Sequence, residues 1–482
     1  MGLKQVFFKD SVIYGLSSYL SLIAAFILTP IYTRIFSKED YGIMDLFSTW
    51  NNFFILIIPL GLSTAILRMY HDFSDDLEKM KKHLGTLLMS LLFSCTIYVF
   101  VLLVFPDWVL GNYYKSSLNT DIYYLSIGII VFTVFTTYFQ AINRIQFNRF
   151  TFLTINLLVF LLISILGFVL VVLFGFGING FFIASFIATG IGFVLSIILG
   201  RKNIYFSFDF AILQDSLKYS LPLLMVVILI KLTFIVDRII INNLLDLKSI
   251  GDYSIIMRIG NVFQLFVGAF TTAWFPYAMS IIKNKDRNDI YGRGFEYYLL
   301  IFSILAFCIM LFNKEVILFF APSYLNIESI VYIVIPTGLI GGTSYFLGLG
   351  LHINKKTIYF IYSALISFLV NVTVSIFLAK HFGLIGIAIG SLFAILAWVL
   401  AEYYFSFKFV KLKFRIFFLF MTFVALLLFG GLMKMFNFYV ADLFTAIVIK
   451  LIIVILLFGL AFINVKFRKM IIGSLKKYLI KQ

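Results

Sequence analysis

The stretch IKLTFIVDRIIINNLL, residues 230–245, sets Lys231, Asp237 and Arg238 inside one apolar run. Near a bilayer centre each such group costs about 2.5–3.5 kcal/mol, so three together cost roughly 8–10 kcal/mol. A helix that keeps them needs partners or a wet cavity at its side. The rest of the chain decides whether the run spans a membrane.

It does, on composition. Of 482 residues, 62% are hydrophobic, 19% aromatic and only 12% charged, and the mean hydropathy is +1.06. So few polar residues do not coat a soluble core of this size. Apolar runs long enough to cross a bilayer recur from end to end, which predicts an all-α polytopic membrane protein. Windows of about twenty residues give fourteen spans. They lie near 9–34, 41–67, 84–106, 121–143, 151–174, 178–200, 217–245, 252–282, 295–320, 328–352, 357–379, 384–407, 414–434 and 440–464. The start, MGLKQVFFKD, does not read as a cleavable signal, because the apolar segment behind it is too long and lacks a small-residue cleavage site.

An even number of spans puts both termini on one side. That side carries 27 of the 38 Lys and Arg residues and the opposite side 7, alternating loop by loop. The positive-inside rule makes the termini cytoplasmic. The net charge of +16 is then topology and contact with anionic membrane lipids rather than nucleic-acid binding. Cys95 and Cys308 sit in apolar segments and read as buried thiols. The four histidines have no ligand spacing, and there is no phosphate loop or nucleophile elbow. Neither a metal, a cofactor nor a catalytic residue is expected.

The chain repeats itself. FGINGFFIAS (176–185) matches FGLIGIAIGS (382–391) at an offset of 206, and EDYGIM (39–44) matches GDYSII (251–256) at 212. Six spans separate the members of each pair. The expected organisation is a first lobe at 1–203, a second at 204–407 and a C-terminal helix pair with a basic tail at 408–482. The first and seventh spans run the same way, so the repeat is parallel, with its pseudo-twofold axis along the membrane normal and a cavity between the halves.

Four cations remain inside spans: Lys231, Arg238, Arg258 and Lys450. On the seventh span Lys231, Ile235, Arg238 and Asn242 share one face, spaced i, i+4, i+7 and i+11, while Asp237 points elsewhere. On the eighth, Ser254, Arg258, Asn261 and Thr272 align; on the second, Asp45, Thr49, Asn52 and Ser63 do. Interior carboxylates besides Asp237 come down essentially to Glu402, so the interior reads as positive. Cations that avoid lipid line a cavity, and guanidinium groups suit phosphate through bidentate hydrogen bonds. Asp237 pairs with Arg238 or Arg258, either as a strut between helices or as a coupling group. Lys450 reads as a snorkelling side chain. Arg34 and Arg68 end the first and second spans, as interface anchors or as a portal. Tyr14, Ser17, Ser18 and Ser21 form a small-residue stripe for helix packing.

ILTPIYTRIFSKEDYGIMDLF (27–47), the Asp-Arg pair at 237–238 followed by GDYSIIMRIGNVFQ (251–264), and the two FG-x-x-G turns resemble the Wzx-type polysaccharide flippases. These are members of the multidrug/oligosaccharidyl-lipid/polysaccharide exporter superfamily. The likeness covers essentially the whole chain and carries no information on the sugar. It implies a V-shaped transporter of fourteen helices in the bacterial inner membrane, moving undecaprenyl-diphosphate-linked oligosaccharide repeat units from the cytoplasmic to the outer leaflet. It also brings in a polysaccharide polymerase and a chain-length regulator as partners. Related lipid II flippases carry cavity arginines on the first, second and eighth spans, and Arg34, Arg68 and Arg258 hold those places here. Spans thirteen and fourteen would form a groove for the lipid tail.

Other functions predict different sequences. A cation-coupled multidrug exporter of the same superfamily wants buried carboxylates, the opposite sign to this interior. A membrane glycosyltransferase or polymerase wants a long external loop with clustered acids or arginines, and the longest here, around 106–121, is a short polar turn. A scaffold of a polysaccharide assembly complex has no use for interior charge.

Overall fold

The computed structural model describes residues 28–69, 76–106, 120–146, 148–412, 414–440, 442 and 444–453. Most of the first predicted span, with Tyr14, Ser17, Ser18 and Ser21, lies outside the described residues, as do the end of the fourteenth and the basic tail.

Every regular element among the described residues is helical. Helix α1, described over 28–35, is followed by α2 (Lys38–Ile57), α3 (Leu62–Met69), α4 (Leu77–Val104), α5 (Thr120–Ile145), α6 (Arg149–Phe168) and α7 (Gly177–Gly200). The second half comprises α8 (Phe210–Leu244), α9 (Leu247–Ser280), α10 (Arg287–Leu311), α11 (Asn313–Phe320) and α12 (Glu328–Gly342). It ends with α13 (Ile358–Phe409), α14 (Ile416–Tyr439) and α15 (Phe444–Ile453). Nine helices among the described residues are long and apolar enough to cross a membrane.

Local chemistry sets the helix starts. Ser37 caps α2 through the Asp40 amide, and Asp40 returns the bond to the Ser37 amide at 3.0 Å. Such a cap is worth about 1 kcal/mol. Asp209 and Asp246 cap α8 and α9 in the same way.

Three predicted spans are not single rods. The second breaks at Leu60 and Gly61, both at positive φ (+49° and +72°), and the freed Leu60 carbonyl accepts from Ser220 of α8 at 3.0 Å. A neighbouring hydroxyl is what makes broken backbone tolerable in a bilayer. The tenth breaks after α12 into Ser344–Leu347 and Leu349–Ile353. The ninth breaks between α10 and α11. In the opposite sense, the 52-residue α13 holds the eleventh and twelfth spans as a hairpin: Gly383 turns it at φ +56°, and Ser367 reaches back to the Ala394 carbonyl at 2.9 Å.

The repeated motifs share backbone as well as letters. Gly177 also sits at φ +56°, and both turns bring the returning helix onto the outgoing one at the next glycine. A Cβ would fall 3.1 Å from the Leu170 carbonyl carbon at Gly180 and 2.3 Å from the Leu378 oxygen at Gly386.

The N-terminal helices pack mainly through α5 and α6 against α7; the C-terminal ones through α8 and α12 against α13 and α9 against α12. The broadest contact between the two groups joins α2 to α9, the two copies of the second repeated motif. Their starts touch through glycine: a Cβ at Gly42 would meet the Leu247 oxygen at 2.2 Å, and one at Gly251 the Lys38 oxygen at 2.0 Å. Lys38–Asp252 (2.7 Å) and Lys248–Glu39 (3.2 Å) clamp the same end. Thr33 adds a bond to the Phe320 carbonyl at 2.6 Å. The end predicted to be external is shut.

Candidate functional site

The two adjacent charges of the opening stretch go to different neighbours, as a helical turn of about 100° between successive residues requires. Asp237, 2% exposed, accepts from Ser391 (3.0 Å), Tyr253 (3.2 Å) and Asn371 (3.2 Å). Arg238, 6% exposed, donates from Nε to Asp45 Oδ2 of α2 at 2.8 Å, and its guanidinium lies 5.2 Å over the Tyr253 ring. The carboxylate partner of Arg238 is therefore Asp45, and the hydrogen-bond partners of Asp237 are neutral.

The expected excess of interior cations shrinks accordingly. Lys231 is exposed, its Nζ 6.0 Å from the Phe234 ring. Lys450 does not snorkel: it is fully buried and bonds Glu315 at 2.8 and 2.9 Å and Asn437 at 3.1 Å. The counter-ions come from α2 and α11, whose carboxylates the single-span reading had not set against these cations. Arg258 differs from the other two buried or half-buried cations. Its Nη1 donates to the Thr29 hydroxyl at 3.0 Å and its guanidinium stacks 5.3 Å from the Tyr41 ring. It forms no ion pair among the described residues.

Two cavities flank the α2–α9 seam. The N-terminal one, of about 760 Å³, lies among α1, α2, α5, α6 and α7 and receives Arg258 across the seam. Asn52, Ser63, Thr136, Gln140, Asn156 and Ser164 line it, with Arg144 and Arg258 as its charged groups. Among the described residues no carboxylate lines it. The C-terminal cavity, of about 330 Å³, lies among α8, α9, α12 and α13 and is walled by Asp237, Tyr253, Asn261, Gln264 and Trp398.

The predicted site residues thus separate. Arg258 and Asn52 line the first cavity; Asp237 and Asn261 line the second. Arg238, Lys231, Asn242, Arg34 and Arg68 line neither. Arg34 belongs to the shut end, where it donates to the Phe319 carbonyl at 3.1 Å, and Arg68 is exposed at the end of α3. Asn242 is buried. Glu402, the other interior carboxylate, is buried under donors from Ser344 and Trp398.

The sequence reading placed a span at 121–143 but missed the polar face of α5. Thr133, Thr137, Gln140 and Arg144 face the N-terminal cavity at spacing i, i+4, i+7 and i+11, the same pattern that singled out the seventh span. Arg144 falls just past the predicted span 121–143, and without its charge the stripe is only a threonine-rich face.

Comparison with known proteins follows this geometry. The family model for polysaccharide biosynthesis proteins matches residues 7–282, more than half of the chain. No curated protein matches the sequence. Among solved structures, the lipid II flippase MurJ in an inward closed conformation is similar with a TM-score of 0.72 at 19% identity, over 96% of this chain and 99% of that one. A multidrug resistance MATE family transporter of the MOP superfamily is similar in its inward-facing conformation, with a TM-score of 0.65 at 15% identity over 83% of this chain and 94% of that one. An outward-facing structure of such a transporter scores 0.58 at 14% identity, over 83% and 95%. The fold is that of these flippases and transporters.

Proposed function

The chain belongs to that family of polysaccharide biosynthesis proteins, and from this premise we propose that it is a Wzx-type flippase. It carries undecaprenyl-diphosphate-linked oligosaccharide across the bacterial inner membrane by alternating access, with both termini cytoplasmic. The observation that carries this reading is Arg258. It reaches from α9 across the seam into a hydroxyl- and amide-lined cavity that holds no carboxylate among the described residues. A cation free of ion pairing beside a sugar-compatible wall suits a diphosphate joined to a saccharide.

The prenyl tail stays in lipid, so the protein shelters only the charge and the hydroxyls. No bond is made or broken. With the external end shut by the Gly42–Gly251 contact and its two ion pairs, the headgroup enters from the cytoplasmic side; opening that clamp releases it outward. Arg258 anchors the diphosphate, and Asn52 lines the same cavity. Arg238 serves through Asp45 as a tie between the lobes, and Asp237 in the second cavity is the group placed to couple an ion to the cycle.

The drug-exporter alternative has one observation in its favour, the Asp237 carboxylate in a largely apolar second cavity. It predicts export of cationic dyes and no effect of Arg258.

The test is a flip assay. Purified protein in liposomes receives a labelled prenyl-diphosphate oligosaccharide, and label crossing is compared for wild type, Arg258→Ala and Arg258→Lys. A charge-assisted hydrogen bond is worth about 1.5–3 kcal/mol, so Arg258→Ala should slow crossing about 10–100-fold. Lys, a point charge without the fork, should fall between. Crossing that ignores both substitutions removes Arg258 from the site; dye export without crossing overturns the flippase reading.

A further inference from the structure

Among the described residues, two buried polar groups of the N-terminal cavity have nothing to bond. Gln140 is 6% exposed, and neither its Nε2 nor its Oε1 has a partner. Tyr32 is 4% exposed and its hydroxyl has none either. Both line the same cavity. A buried amide left unpaired costs stability, and native proteins leave few of them.

The hydroxyls around them are already committed. Thr133, Thr136 and Thr137 donate to the Ile129, Phe132 and Val134 carbonyls of their own helix at 2.7–2.8 Å. Ser164 donates to the Phe160 carbonyl at 3.0 Å, and the Asn156 amide nitrogen to the Phe152 carbonyl at 2.9 Å. Each of these hydroxyl protons is spent on backbone, so the threonine and serine oxygens turn lone pairs toward the cavity. The wall offers these acceptors, two buried donors without partners among the described residues, the Gln140 amide and the Tyr32 hydroxyl, and a cation at Arg258.

We infer that Gln140, with Tyr32, reads the sugar nearest the diphosphate, by pairing its amide with a donor–acceptor edge of that sugar. The threonine and asparagine acceptors take the remaining sugar O–H protons. Two sugar chemistries present such an edge: an acetamido group, with N–H and C=O side by side, and a pair of neighbouring ring hydroxyls. The assignment rests on the flippase reading and deepens it. It makes Gln140 a specificity residue, separate from Arg258, which holds the phosphate.

The experiment measures binding to purified full-length protein in detergent. Three soluble short-chain prenyl diphosphates serve as probes: one bare, one carrying a hexose and one an N-acetylhexosamine. Wild type should bind the sugar-bearing probes more tightly than the bare one. Gln140→Leu should lose that increment, about tenfold for one lost pairing, while its affinity for the bare probe stays unchanged. Arg258→Ala should weaken all three. An increment lost only for the N-acetylhexosamine identifies the acetamido edge; loss for both probes identifies ring hydroxyls.

Because the amide is unpaired in the free protein, Gln140→Leu should melt at or above the wild-type temperature. A lower melting temperature would mean that the amide is paired within the fold, and an intact sugar increment that something else reads the sugar. Either overturns the assignment to Gln140 while leaving the flippase reading standing. Wild type that binds none of the probes, the bare one included, overturns both.

Discussion

Arg238 and Asp45 stand 193 residues apart in the chain and meet at 2.8 Å, joining α8 to α2. Both are shielded, with side chains 8% and 18% exposed. Removing one member of a buried pair strands the other, which typically costs about 3–5 kcal/mol. Asp45→Ala should therefore lower the melting temperature in detergent markedly. Pairing it with Arg238→Met should recover most of the loss, because an apolar pair of similar volume has no charge to desolvate. If the single substitution is silent, the pair does not hold α8 to α2.

Gly42 and Gly251 make the shut end possible, since a side chain on either would collide with backbone of the facing helix. Gly42→Val and Gly251→Val should both destabilise the shut state and populate the externally open one. The readout is labelling of a cysteine introduced at Thr33, which is buried at the shut end, by a membrane-impermeant thiol reagent, after Cys95 and Cys308 are replaced by Ala. Labelling should rise in both valine variants. Equal labelling in all three backgrounds would show that the glycines do not govern closure.

Much of this architecture was legible in the sequence because a membrane imposes simple rules. Apolar length gave the helices, and the two FG-x-x-G turns gave matched positive-φ glycines at 177 and 383. Partners were less legible. Arg238 reads against Asp237, and Lys450 as a snorkelling side chain, because their carboxylates, Asp45 and Glu315, belong to helices far along the chain, and periodicity on one helix carries no information about which face meets which. The α5 stripe was open to the same periodic test, but its members are mostly neutral, and attention to charge passed over it. Helix breaks such as Leu60–Gly61 were hidden for a different reason: Ser220, the hydroxyl that makes the break tolerable, lies 160 residues on.

Lys450 ties α15 to the rest of the protein. It is fully buried against Glu315 and Asn437, while Lys314 reaches the Asn437 carbonyl at 3.2 Å. Lys450→Met leaves Glu315 without its cation in a dry site and should cost about 3–5 kcal/mol. Adding Glu315→Gln should restore most of it. The measurement is thermal unfolding of the three proteins in one detergent; a double variant no more stable than Lys450→Met would show that packing of the lysine stem, not its charge, matters.

Asp209 sits where the chain passes from α7 into α8, and it fastens that connection to α4. Its side chain caps α8, its own amide donates to Thr86 at 3.0 Å, and Lys82 bonds its carboxylate at 2.8 Å. The Lys82 hydrogen bond first, then the Ile212 amide, hold the carboxyl below its ordinary range. A depressed carboxyl stabilises the fold above its unfolded-state value, about pH 3.9, and that contribution disappears as pH falls through the folded value. Asp209→Asn keeps the cap, since asparagine accepts the same amides, but removes the charge. The variant should melt below wild type at pH 7 by a small margin, as expected for a solvent-contacting pair. The margin should close below about pH 4. A gap of the same size at both pH values would assign the difference to the cap and not to the pairing with Lys82.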